Sequence, residues 1–163
     1  MPNNFNIEQF LSLEGYVTQT RLARRTGSKG TQEFFTPYSI VKRMCDKIPD
    51  EDWADPTKTF CEPCFGNGQF VLYIIWNRIQ HGIDWETALR TCYGVELMQD
   101  NVIETHSRVI GLLDALNLDY DKDVAMDIMH ENLVCSDFFN WDFENWKPTN
   151  KIDVSANSGT CES

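Results

Sequence analysis

The residues best suited to chemistry lie between Lys58 and Leu72, Lys-Thr-Phe-Cys-Glu-Pro-Cys-Phe-Gly-Asn-Gly-Gln-Phe-Val-Leu. Gly66 and Gly68 flank one asparagine where a β-prone run gives way to Phe70, Val71, Ile74, Ile75 and Ile79 at helical spacing. A strand, a glycine turn and a helix in that order bring backbone close to a ligand. Glycine has no side chain to block approach, and the first turn of the helix offers unpaired N–H groups and the positive end of its dipole. The same turn also serves plain βα connections, so the glycines alone name no ligand. A dinucleotide loop prefers a third glycine further on, and Val71 stands there, which speaks against NAD or FAD. Glu96 closes the next β-prone run, Thr91 to Val95. A carboxylate at the carboxyl end of the strand beside such a turn can accept both hydroxyls of a ribose; capping a helix is its competing role. Cys61-x-x-Cys64 has a spacing used by zinc and dithiol sites, but no second pair with ligand spacing follows, and the two read as incidental strand and loop residues with no metal.

The acidic residue before the turn, in Glu62-Pro63-x-x-Gly66-x-Gly68-x-Phe70, follows Phe34-Phe35-Thr36-Pro37 one short helix earlier. Together these motifs resemble the amino-methyltransferases that act on adenine in DNA, notably those related to type I modification subunits. The resemblance covers residues 31 to about 154 and implies S-adenosylmethionine as cofactor. Phe35 and Thr36 would close over its methionine end, with Glu62, Pro63, Cys64, Gly66, Gly68 and Phe70 forming the loop beneath. Glu96 and Leu97 would meet the ribose. Asp137 would accept from the adenine amino group, and Phe138 would cover the base; a carboxylate and an aromatic face suit those tasks.

Transfer in that family needs a second motif, Asp/Asn-Pro-Pro-Tyr/Phe. The lone pair of the adenine amino group is spread into the ring. Acceptors must therefore draw on its hydrogens while the methyl passes in line, and the flipped base must stack on the aromatic ring. Lys151-Ile152-Asp153-Val154 begins like the strand that carries this motif, and Asn157 stands near the place of its asparagine. Both prolines and the aromatic residue are absent, so no catalytic residue is assigned. The resemblance thus implies the cofactor-binding part of an adenine-N6 DNA methyltransferase, meeting DNA through regions absent from this chain or with a complementing subunit. Two other readings stand beside it: a non-catalytic module that binds S-adenosylmethionine or a partner, and a methyltransferase acting on protein glutamine.

Composition sets the bounds. The 163 residues, 42% of them hydrophobic, suffice for one folded domain with a core. No apolar run spans a bilayer and the start is not that of a secretory signal, so a cytoplasmic protein with no membrane contact is expected. Residues 1 to 50 hold 7 Lys+Arg against 5 Asp+Glu, and residues 51 to 163 hold 7 against 20. Any basic surface is therefore N-terminal, and Thr20 to Gly30, a basic patch running into a Gly/Ser/Thr connector, reads more as a solvated linker than as a phosphate contact. Cys61, Cys92 and Cys135 fall in predicted strands, where reduced buried thiols are ordinary.

Three segments are expected: a helix and basic connector over 1–30, an α/β domain over 31–154, and an atypical tail over 155–163 that looks altered or truncated. The domain reads as a partial Rossmann-like class I methyltransferase sheet of about four parallel strands with flanking helices. The strands are placed at 58–61, 91–95, 131–136 and 151–154, in the family's spatial order three, two, one, four. Asn6 to Tyr16 suggests a helix with Ile7, Phe10 and Leu11 on one side. Thr36-Pro37 opens another, Thr36 capping and Ile40, Val41, Met44 and Ile48 buried. Asp50 to Thr57 reads as a loop, Met98 to Leu118 as an amphipathic helix with His106 packed, and Asp119 to Asp123 as a solvated acidic turn.

Overall fold

The computed structural model describes residues 4–12 and 35–149, so the basic connector, the proposed fourth strand and the tail lie outside the described residues. Three parallel strands, β1 (Phe60–Glu62), β2 (Cys92–Glu96) and β3 (Leu133–Cys135), form one sheet in the order β1-β2-β3. That is the expected arrangement of the first three strands, each shifted by one or two residues. Parallel neighbours need long crossovers, and helices supply them. After α1 (Ile7–Phe10), α2 (Tyr38–Cys45) and α3 (Asp50–Ala54), α4 (Gln69–Gln80) and α5 (Trp85–Arg90) join β1 to β2. Next, α6 (Gln99–Ala115) and α7 (Lys122–Asn132) join β2 to β3. All four of these connecting helices touch β2, and the core fills the space between them with Val71, Leu72, Ile75, Leu89, Val109, Leu112, Ile128 and Met129.

Local chemistry explains the boundaries. Gly82, at φ 87°, lets the chain leave α4, and the Asp84 carboxylate then caps α5 by accepting from the Thr87 N–H at 2.9 Å. Gly94 in mid-strand is obligatory for a different reason. A Cβ there would lie 2.6 Å from the Phe65 ring and 3.0 Å from the Glu62 carbonyl oxygen, so the strand bares its backbone for the loop above to rest on.

Several expectations are corrected. Helix α1 stops at Phe10, with Leu11 as its C-cap, though Ile7 and Leu11 do enter the core. Helix α2 has Pro37 as N-cap with no side-chain cap, so Thr36 does not cap it. Val41 is buried as expected and Ile48 packs half-buried against the core, but Ile40 and Met44 face outward and Cys45 goes inward, because the helix starts at Tyr38 and its inner stripe is rotated by one residue. The loop at 50–57 contains α3, whose three leading acids favour a helix N-terminus and whose Trp53 stacks on Phe60 at 4.8 Å. The acidic turn is in fact the cap of the unforeseen helix α7, with the Asp121 carboxylate accepting from the Asp123 and Val124 N–H groups. A short antiparallel hairpin, β4 (Trp141–Asp142) with β5 (Lys147–Pro148), stands where no element is expected. Cys92 is a buried free thiol as expected, but Cys61 is exposed and Cys135 is disulfide-bonded.

His106 is packed, as read. Its Nε2 donates to the Leu133 carbonyl at 2.9 Å, and its ring meets that of His130 edge-on at 5.2 Å. Burial pushes its pKa below the ordinary 6.5; the Leu133 carbonyl opposes this and His130 adds to it. The fold thus prefers neutral imidazole, and unfolding takes up a proton. The His106 contribution is complete above the ordinary pKa and is lost as pH falls through it towards the lower folded value. Urea unfolding should show stability declining below pH 6.5, by at most about 1.4 kcal/mol per pH unit for this one proton. His106→Gln should remove that share of the slope; an unchanged slope would contradict the assignment.

Candidate cofactor site

Parallel pairing decides where the candidate residues meet. Glu62 is the last residue of β1 and Glu96 the last of β2. The register sets Glu62 beside Gly94 and Glu96 beside Cys135, with Asp137 two residues beyond β3. Three carboxylates therefore leave the sheet from one edge, its carboxyl end, where open α/β sheets bind ligands.

The glycine loop lies across that edge and Glu96 holds it. The Gly66 N–H donates to Glu96 Oε2 at 2.7 Å, and the Met98 N–H donates to Oε1 at 2.9 Å. One buried carboxylate thus secures the loop and the start of α6 together, which includes the helix-end role weighed above. Its oxygens together have about four lone-pair sites, so further hydrogen bonds from a diol remain open to it.

Helix α6 draws the loop carbonyls backward. Thr105 Oγ1 donates to the Gly66 carbonyl at 3.2 Å and Arg108 Nη1 to the Asn67 carbonyl at 2.7 Å. Gly68 sits at φ +90°, where a Cβ would be 2.7 Å from Thr105 Cγ2. From above, the Phe35 ring comes to 3.8 Å of where a Gly66 Cβ would stand. Phe35, the start of a strap with Thr36, therefore rests on the loop, and the first turn of α4, just after Gly68, has the N–H groups expected to favour an anionic carboxylate.

With Arg108 behind the loop, the charges on its strand-end side are carboxylates. Glu62 Oε1 accepts from the Cys64 N–H at 3.3 Å. Burial raises the Glu62 pKa above the ordinary carboxylate value; the Cys64 amide pulls it down and the nearby Glu96 raises it again. The Cys64 thiol is likewise raised, by burial first and then by Glu96, Glu62 and Asp137. All three carboxylates thus act on one thiol at the rim of the loop. A cationic group would find favourable potential here.

Asp137 caps a 3-10 turn (Phe138–Asn140), its Oδ1 accepting from the Phe139 N–H at 2.9 Å. Phe138 is exposed and packs against Phe139 and Phe143 with ring centroids 5.3 and 5.0 Å away. Leu97 is half-buried beside Glu96, Pro63 and Cys64 are exposed in the turn, and Phe70 packs half-buried on α4. Thr36 contributes its carbonyl, which accepts from Gln69 Nε2 at 3.0 Å. Phe35, Glu62, Gly66, Gly68 and Glu96 are thus brought together, Asp137 adjoins them, and Phe138 lies further along the same edge. Cys61 and Cys64 are both free and exposed, and among the described residues no group of acids, thiols and histidines could hold a metal ion.

Three residues of this arrangement escaped the sequence reading: Gln69, Thr105 and Arg108. All are buried. The available signal was a polar side chain interrupting an apolar helical stripe, which reads as noise until the facing polar partner is known. Comparison with family models, with curated proteins and with solved structures finds no match to this chain. The architecture is a mixed α/β fold with a three-stranded parallel sheet flanked by helices. Among the described residues no helix is long and apolar enough to cross a membrane.

Proposed function

We propose that this chain is the cofactor-binding portion of a Rossmann-like class I methyltransferase, one that presents S-adenosylmethionine to an adenine amino group of DNA. The observation that carries the reading is Glu96. It closes the middle strand, adjoins the glycine loop and holds it by the Gly66 amide, beneath Phe35. In this reading Glu96 takes the ribose hydroxyls, and the loop with the first turn of α4 receives the amino-acid carboxylate. Glu62 offsets the positive end of the ligand, and Asp137 with Phe138 receives the purine. The bound group supplies an electrophilic methyl on a sulfonium, while the residues named here bind and orient it.

Isothermal titration with S-adenosylhomocysteine tests the reading: micromolar binding supports it, and no heat from folded protein would end it. Cysteine labelling gives an independent prediction. With raised pKa values, Cys61 and Cys64 should alkylate more slowly at pH 7.5 than an ordinary exposed thiol. Saturating S-adenosylhomocysteine should slow Cys64 several-fold more than Cys61, and equal rates with and without it would count against the site. No Pro-Pro pair occurs anywhere in the sequence. Binding without transfer is the second reading, because Lys151-Ile152-Asp153-Val154 leads into Ser155-Ala156-Asn157-Ser158 rather than the proline-bearing motif. A radiolabel assay offering adenine-containing DNA and protein together separates the two, and label in protein would point to glutamine instead.

A further inference from the structure

A single buried amide gathers the segments that meet over the loop. Gln69, 3% exposed, is the first residue of α4. Its Nε2 donates to the Leu11 carbonyl at 2.9 Å and to the Thr36 carbonyl at 3.0 Å. Its Oε1 accepts from Arg108 Nη2 at 2.8 Å, and Arg108 Nη1 reaches the Asn67 carbonyl. Both amide hydrogens and the oxygen are used, so the side chain is committed to this arrangement.

We propose that Gln69 is a positioning residue, a latch that seats residues 4–12 and the Phe35-Thr36 strap on the glycine loop, so that docking of α1 and occupation of the loop are one linked equilibrium. The ligand half of this inference rests on the function proposed above; the mechanical half does not. Helix α1 has four residues, far too few to persist alone, so its structure depends on what it docks against. It docks through Ile7 and Leu11 and through the Leu11 carbonyl on Gln69. The strap is seated by the Phe35 ring at Gly66 and by the Thr36 carbonyl on the same amide. Whatever orders the loop therefore orders both segments, and linkage requires the converse.

The residue type is specific. A carboxylate keeps the volume and the Arg108 pairing but has no hydrogen to give either carbonyl. Gln69→Glu should therefore leave α4 and α6 protected in hydrogen exchange while exchange at Gln9, Phe10 and Leu11, and at Ile40 and Val41 whose N–H groups close on the Pro37 carbonyl beside the strap, rises about tenfold or more. Affinity for S-adenosylhomocysteine should fall on the order of tenfold. Leu11→Ala, which undocks α1, should weaken binding by a similar factor in the parent chain and by less than about twofold in the Gln69→Glu background, a non-additivity that mere loss of packing does not produce.

Unchanged exchange at both segments, or additive effects on affinity, would overturn the latch. A parent chain that does not bind S-adenosylhomocysteine would end the cofactor reading, and the exchange comparison would still decide the latch. Should Gln69→Glu fail to fold, Gln69→Met, of similar volume and uncharged, is read the same way. Leu11→Ala alone gives a third reading: the Ile40 and Val41 amides, which close on the Pro37 carbonyl beside the strap, exchange faster if the latch is real and unchanged if it is not.

Discussion

Replacing Glu96 by alanine is expected to abolish binding of S-adenosylhomocysteine, by at least about 100-fold, and to lower stability by roughly 3 kcal/mol. Two effects add. The carboxylate accepts the Gly66 and Met98 N–H groups at 2.7 and 2.9 Å, and Glu96 is only 9% exposed. Hydrogen bonds to a charged acceptor contribute about 1.5–3 kcal/mol each, and a buried donor left without its acceptor retains its desolvation cost. The ligand would in addition lose both its ribose acceptor and the loop geometry.

Glu96→Gln separates these contributions. The amide still offers one acceptor oxygen, so about half of the stability should return, while the nitrogen that replaces the other oxygen can no longer accept. Urea unfolding and isothermal titration on the three proteins suffice. Alanine at this position with undiminished binding would show that the ligand, if any, sits elsewhere.

The second large effect is expected at Gly68. A methyl group there meets two separate obstacles: a left-handed backbone at φ +90°, and Thr105, with Cγ2 at 2.7 Å and Oγ1 at 2.9 Å from the new carbon. The backbone contributes about 1–2 kcal/mol and the overlap about 1–3 kcal/mol, so Gly68→Ala should destabilise by roughly 3 kcal/mol. Thr105→Ala removes the second obstacle only, at the cost of its own hydrogen bond to the Gly66 carbonyl. In a double-mutant cycle Gly68→Ala should therefore cost about 1–2 kcal/mol less in the Thr105→Ala background than in the parent. A cycle that closes with zero interaction energy would mean that Thr105 does not press on the loop.

Much of the framework was legible in the residues because it is local. Gly66-Asn67-Gly68 between a β-prone run and a 3.6-residue apolar repeat is a strand, turn and helix by short-range sterics, and the structure has β1, the turn and α4 there. Gly82 followed by Asp84 ends one helix and caps the next for the same kind of reason. The rotated face of α2 shows the limit of such reasoning. Ile40, Val41 and Met44 carry the apolar spacing, but the start of the helix and its neighbours set the phase: Val41 goes inward as expected, Ile40 and Met44 face out, and Cys45 is buried in their place. Helix α7 is not legible because its leading acids read as a solvated turn, and only the Asp121 cap shows that they open a helix.

The sequence by itself determined the glycine turn, the order of strand and helix, and the three acidic residues at or just past the strand ends, since each depends on neighbours within a few positions. Only the tertiary structure decided that these meet. Parallel pairing puts Glu62, Glu96 and Asp137 on one edge, and α6 crosses behind the loop to hold it by Thr105 and Arg108. The amide of Gln69 joins carbonyls 58 and 33 positions away. A buried polar group is tolerable only when its partner arrives from elsewhere in the chain, and which partner arrives is a property of the packed fold.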